Sequence, residues 1–141
     1  MPDRTETAEF HVGFTGSRRP MTRPQAETVG RILTGDWFHH GDCVGSDAEA
    51  QSLARLAGMR IALHPPANRS MRAFCVADVS HEPKDYIARN HDIVDATTRL
   101  VAAPSSHEEE VRSGTWATIR YARRQGKPIT IVFPDGSVRN E

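Results

Sequence analysis

Three stretches of the chain place glycine and a hydroxyl residue shortly ahead of a helix-forming segment. They are Gly13-Phe14-Thr15-Gly16-Ser17-Arg18-Arg19, His40-Gly41-Asp42-Cys43-Val44-Gly45-Ser46-Asp47 and Ser113-Gly114-Thr115. Glycine lets backbone approach a ligand closely, and a helix start offers unpaired N–H groups to an anion. Ser17, Ser46, Ser113 and Thr115 can add hydroxyl donors to a phosphate. The same residues also make tight turns and helix caps, so each stretch alone supports two readings; the three together favour a phosphate-bearing ligand. The candidate contacts are Gly16, Ser17 and Arg18, then Gly41, Asp42, Gly45, Ser46 and Asp47, then Ser113, Gly114 and Thr115. The pattern is neither the GxGxxG dinucleotide fingerprint nor a Walker A loop, since no lysine follows the glycines.

Neighbouring residues fit the same chemistry, each with a plainer alternative. Asp42 or Asp47 can accept hydrogen bonds from a ribose, or Asp47 can serve the first turn of a helix. Arg18 and Arg19 carry guanidiniums suited to bidentate phosphate contacts, or they are solvated surface. Cys43 precedes a helix, where a thiolate can be stabilised, or it is a small packing residue. Glu108-Glu109-Glu110 reads as a solvated charge run. The seven histidines show no metal-ligand spacing. His39 and His40 are adjacent and point to opposite faces of a strand, while His64, His81, His91 and His107 are scattered. No metal and no cofactor is expected, and no catalytic residue is assigned.

The elements that must position these loops follow from hydrophobic periodicity and punctuation. Strands are expected at Phe10–Thr15, Trp37–His40, Arg60–His64, Arg99–Ala103 and Ile129–Phe133. Helices are expected over Arg23–Leu33 (capped by Thr22, with Pro24 in the first turn), from Ser46 or Asp47 to Ala57, Lys84–Ala96 and Thr115–Gln125. Residues 67–83 read as irregular. Strand–helix alternation implies right-handed crossovers and a mostly parallel sheet with helices on both faces. The expected fold is therefore α/β: a three-layer Rossmann-like domain with five strands in the order 3-2-1-4-5. Ligands bind such sheets at the carboxyl ends of the strands, beside the switch point between strands one and four.

The 141 residues make one domain, over 10–136, between a polar tail at 1–9 and a short C-terminal tail at 137–141. Hydrophobic residues are 38% and charged residues 26%, an ordinary globular balance. Eighteen basic and eighteen acidic residues cancel, which counts against a nucleic-acid binder. Two distant cysteines form no disulfide framework. The polar N-terminal residues resemble no secretory signal, and no apolar run is long enough to span a membrane. A cytoplasmic protein is expected. The Trp116–Ala122 stripe is apolar enough to suggest a two-fold homodimer.

The loops also carry a family resemblance. Gly13-Phe14-Thr15-Gly16-Ser17-Arg18, His40 through Asp47, Tyr86-Ile87-Ala88-Arg89-Asn90, Ser113-Gly114-Thr115-Trp116-Ala117-Thr118 and Lys127-Pro128-Ile129 to Pro134-Asp135-Gly136 resemble, in order and spacing, the SLOG superfamily of Rossmann-like nucleotide-binding proteins. Its relatives include the Lonely Guy phosphoribohydrolases, molybdenum-cofactor carrier-like proteins and the DNA-processing protein A core. The resemblance implies a nucleotide-type ligand over the first, second and fourth loops. Ser113-Gly114-Thr115 would match the phosphate loop, and Arg89, with Asn90 beside it, the arginine of the phosphoribohydrolases. Their Gly-Thr-x-x-Glu motif ends in a catalytic glutamate; here that place is Thr118. The expectation is a nucleotide or ADP-ribose-like binding or sensing protein. The alternatives are a nucleoside-monophosphate N-glycosidase of phosphoribohydrolase or deoxyribosyltransferase type, and a role like that of DNA-processing protein A.

Overall fold

The computed structural model describes residues 9–141. The elements run β1 (His11–Gly16), α1 (Arg23–Ile32), β2 (Trp37–His40), α2 (Ser46–Leu56), β3 (Arg60–Leu63), β4 (Val79–Ser80), α3 (Tyr86–Asp95), β5 (Arg99–Ala103), α4 (Gly114–Arg124), β6 (Ile129–Val132) and β7 (Val138–Asn140), with a 3-10 turn at Arg69–Met71. Helix starts follow local chemistry. Thr22 accepts from the Gln25 amide while the Gln25 side chain returns a bond to the Thr22 amide, a complete capping box. Asp85 and Ser113 cap α3 and α4 in the same way, each accepting from the amide three residues on.

The sheet order is β4-β3-β2-β1-β5-β6-β7. Every pairing is parallel except β6 with β7. The five expected strands appear in the expected order, with β1 between β2 and β5. The expectation of five strands is corrected to seven among the described residues. β4 lies in the stretch read as irregular, and its two residues are too few to show any period. β7 falls on the residues read as a tail, where the turn at Pro134-Asp135-Gly136, with Gly136 at φ 86, reverses the chain. The Ile129 amide bonds the Glu141 carbonyl and the Glu141 amide returns to Ile129. The N-terminal tail lies outside the described residues except for Glu9, which pairs with Arg60 and accepts from the Trp37 indole.

Side-chain alternation along the strands separates two cores. Val12, Phe14, Phe38, Ile61 and Leu63 face α1 and α2. Leu100, Ala102, Ile129 and Ile131 face α3 and α4 with Ile93, Val94, Trp116 and Ile119. Trp116, Ile119 and Ala122 are thus committed to the core beneath α4, so this stripe offers no surface for a dimer. Helices α3 and α4 pack over β1, β5 and β6. On the continuation of that face across β2, β3 and β4 lie Trp37, His39 and the side chains at the carboxyl ends of β3 and β4.

Removing residues 137–141 leaves the edge of β6 unpaired and deletes the β6–β7 ladder together with three backbone hydrogen bonds of Ser137 and Glu141. The truncated chain should lose at least about 3 kcal/mol by urea denaturation, at about 1 kcal/mol per bond, and should associate through the bared edge. A variant as stable and as monodisperse as the full chain would contradict the pairing of β7.

Candidate functional site

The carboxyl ends of β1, β2 and β5 bring the three glycine–hydroxyl loops to one rim. The first two interlock. Helix α2 begins at Gly45, whose φ of 99 suits glycine, and no side chain caps its amides. A Cβ on Gly45 would collide with the Arg18 carbonyl, and one on Gly16 with the Ser46 hydroxyl. The Ser46 amide and hydroxyl both donate to the Ser17 carbonyl, at 3.3 and 2.5 Å. Ser46 is wholly buried, so its hydroxyl serves the loop junction. Ser17 is half-buried and Arg18 and Arg19 are exposed.

The second loop is held from within. Asp42 is fully buried at φ 54. Its carboxylate accepts from Arg72 Nε at 2.8 Å and from the Cys75 amide at 2.9 Å, and its carbonyl accepts from the Ala73 amide. It anchors the 67–83 segment against this loop. Asp47 is buried, accepts from the Cys43 amide at 3.2 Å, and has its carboxyl pushed up by burial despite nearby His40 and Arg89. Arg89 is buried too. It donates from Nη1 to the Gly41 carbonyl at 2.6 Å and the His64 carbonyl at 3.3 Å, and from Nε to Asn90 Oδ1 at 2.8 Å. Burial raises the Cys43 thiol above its usual range and pushes Cys75 up to about 12, so both stay protonated.

At the third loop the Ser113 hydroxyl accepts from the Trp116 amide at 3.2 Å. Thr115 is buried. Gly114 lies directly under the Tyr86 hydroxyl, where any side chain would collide. The guanidinium carbons of Arg18 and Arg89 lie 5.9 and 5.1 Å from the centre of the Tyr86 ring. Thr118 Oγ1 donates to the Gly114 carbonyl at 2.9 Å. With Tyr86 and Asn90 it lines a recess of about 50 Å³. Of the candidates, Ser17, Arg18 and the starts of α2 and α4 stand at the rim. Asp42, Ser46, Asp47 and Arg89 are engaged by protein partners. Sequence reasoning missed Tyr86 as a site residue; the signal was an aromatic opening a helix one turn ahead of Arg89 and Asn90.

Not all of the histidines are scattered. His39, His64 and His81 gather so that one nitrogen of each lies within 4.8 Å of the others. His39 Nδ1 is 2.9 Å from His64 Nε2, and His39 Nε2 is 2.8 Å from His11 Nδ1. The His81 ring stacks on His64 with centres 4.3 Å apart. Burial, then neighbouring imidazoles, lower His39 to about 4 and His64 to about 3. The expectation of no metal pattern missed this cluster, because spacing along the chain does not reveal it: it follows from the order of β1, β2, β3 and β4.

No protein-family model and no curated protein matches the sequence. Solved structures do. The molybdenum cofactor binding protein from Rippkaea orientalis superposes with a TM-score of 0.71 at 18% identity, covering 91% of this chain and 78% of that one. The Moco carrier protein from Chlamydomonas reinhardtii gives 0.65 at 20% identity, covering 88% and 76%. The structural-genomics target TM1055 gives 0.63 at 19%, covering 85% and 72%. The chain shares their fold. Proteins described as molybdenum-cofactor carriers thus share the fold that the family resemblance implied.

Two outcomes follow from this geometry. Gly45→Ala forces a side chain into an unfavourable φ and against the Arg18 backbone, and should cost more than about 1 kcal/mol in denaturant titrations; an unchanged midpoint would refute the interlock. The buried histidines give a pH dependence whose sign is fixed. Unfolded histidine titrates near ~6.5, whereas the folded values lie at about 4 and about 3. As pH falls from 6.5 toward those values the unfolded chain binds protons that the folded chain refuses. Stability should therefore drop, by up to about 1.4 kcal/mol per pH unit for each such proton. Asp47 contributes with the opposite sign, favouring the fold below its raised value. Urea titrations at neutral and mildly acidic pH in EDTA measure the balance, and His64→Gln should flatten it.

Proposed function

We propose that this chain binds a small anionic ligand of nucleotide type at the carboxyl rim and acts as a binding or sensing protein rather than a hydrolase. The observation that carries the reading is the start of α2. Beyond the Ser46 amide, which the Ser17 carbonyl takes, its first-turn amides have no side-chain cap among the described residues; it sits beside β1 at the switch point, and the exposed Arg18 adjoins it. Free N–H groups and a guanidinium on one rim are the donors a phosphate takes. Tyr86, exposed beside Arg18, offers a ring on which a base can stack.

Cleavage of an N-glycosidic bond builds oxocarbenium character that a carboxylate must stabilise. The position where the phosphoribohydrolase resemblance requires that acid holds Thr118, whose hydroxyl is spent on the Gly114 carbonyl. Three of the other acids are engaged elsewhere, Asp42 by Arg72 and Cys75, Asp47 by Cys43, and Glu109 by Arg120 and Arg123, while Glu108 and Glu110 are exposed. Two proteins of the same fold are described as binding or carrying the molybdenum cofactor, and that cofactor is the second reading for this rim. The balanced charge gives no support to a DNA-processing role.

Mononucleotides, dinucleotides and ADP-ribose, screened at millimolar concentration, should include one that raises the melting temperature. A hundredfold excess over Kd contributes about 2.7 kcal/mol. Arg18→Ala should weaken that binding about tenfold, one charge-assisted bond's worth, with little change in the melting temperature of the free protein. Native mass spectrometry of the purified chain separates a co-purifying nucleotide from a molybdenum cofactor. Release of free base from AMP at about 1 per second or faster would overturn the binding-protein reading, and silence across the whole screen would overturn the nucleotide.

A further inference from the structure

We propose that His39, His64 and His81 form a binding site for a divalent late first-row transition metal of the zinc type. The site is separate from the rim and stands without the ligand reading above. Four of the seven histidines in the chain meet at one place. His11 comes from β1, His39 from β2, and His64 and His81 directly follow β3 and β4, so four adjacent strands contribute to one face of the sheet. Next to them, the same face is covered by α3 and α4 over an apolar core. Here imidazoles stand in place of an apolar cover.

The donor set suits the ion. Imidazole nitrogen is a borderline ligand preferred by zinc, nickel, cobalt and copper, and three histidines with an open fourth position make a familiar zinc arrangement. Tetrahedral zinc with Zn–N bonds of about 2.0–2.1 Å sets its nitrogens about 3.3 Å apart. His39 Nδ1 and His64 Nε2 stand at 2.9 Å and need only a small separation. His81 is exposed at the sheet edge and turns off its stack over His64 to join them. The other nitrogen of His39 already faces His11 Nδ1 at 2.8 Å. With its proton on Nε2, His39 donates to His11 and keeps the Nδ1 lone pair for the metal; orientation of a ligand imidazole by its second nitrogen is a regular feature of such sites.

The surroundings favour a cation. His64 and His81 open onto a groove of about 500 Å³ that also holds Glu82, Asp92, Asp95 and Lys84. Lys84 pairs with Asp92 at 2.6 Å, which leaves the carboxylates of Glu82 and Asp95 in excess. The fourth coordination position faces this groove, so a water or an anionic group can reach the metal.

The test is titration of chelator-treated, tag-free protein with Zn²⁺ by calorimetry, and with Co²⁺ by visible absorption. The expected result is one metal per chain with a dissociation constant in the micromolar range or tighter, and cobalt bands of the intense four-coordinate type. His81→Ala changes an exposed ligand and should leave the fold intact. It should weaken binding by more than about tenfold, since even an outer-shell partner costs about 10- to 100-fold. His107→Ala, away from the cluster, should not. Absence of saturable binding at about 100 μM Zn²⁺, or equal affinity in the His81→Ala variant, would overturn the proposal.

Discussion

The carboxyl edge of this fold is organised by one buried cation. The Arg89 guanidinium leaves α3 and reaches the carbonyls of Gly41 and His64 and the side chain of Asn90, with the Cys43 sulfur 3.7 Å from Nη1. A buried charge is stabilising only when its donors are well satisfied, and these partners come from the ends of β2 and β3 and from α3 itself. The planar fork of arginine serves several acceptors at once, which a lysine ammonium does not. The position also dictates sequence at a distance. Gly41 has no room for a side chain because Nη1 occupies the space where a Cβ would stand. Asp47, near both Arg89 and His40, is so fully buried that desolvation outweighs their pull and raises its carboxyl.

The same logic runs along the rim. Each glycine that looks like room for a ligand is filled by another part of the chain: Gly16 by the Ser46 hydroxyl, Gly45 by the Arg18 carbonyl, Gly41 by Arg89, and Gly114 by the Tyr86 hydroxyl. The loops are thereby held in one arrangement by the chain itself. What remains outward is a smaller set: the exposed guanidinium of Arg18 and the Tyr86 ring, beside the start of α2. Asp42 extends the order to the 67–83 segment, holding Arg72, Ala73 and Cys75 so that a stretch without regular periodicity has a fixed course.

The sequence was most legible where structure depends on neighbours. Thr22 with Gln25, Ser113 before Trp116, and the alternation of Val12 and Phe14 with Gly13 are local signals, and they place four helices and five strands. β4 and β7 were hidden because two or three mostly polar residues make no pattern and are strands only through the partner that supplies their ladder. The site was legible as loops and illegible as roles. Nothing in Gly41-Asp42-Cys43 announces that Arg72, thirty residues on, will take the carboxylate of Asp42. The resemblance pointed to Arg89 as a ligand group, and only three-dimensional proximity reveals that its acceptors are main-chain carbonyls. The histidine cluster belongs to the same class, since it follows from the order of strands rather than from spacing within one of them.

His64 is where the two regions meet, and its geometry sets how far they can influence one another. Its carbonyl accepts from Arg89 and its amide donates to the His40 carbonyl at 2.8 Å. Its ring, on the other side of the same residue, belongs to the histidine cluster. The backbone is fixed by a strand partner and a buried guanidinium, while the imidazole takes its own partners, His39 and His81, on the histidine face. Coupling between sites requires an element with two arrangements that both occupants bias. A backbone held on both sides by hydrogen bonds, in a close-packed surrounding, supplies no second arrangement. The shared residue therefore separates the rim from the histidine face mechanically, even though it places them within one side chain of each other.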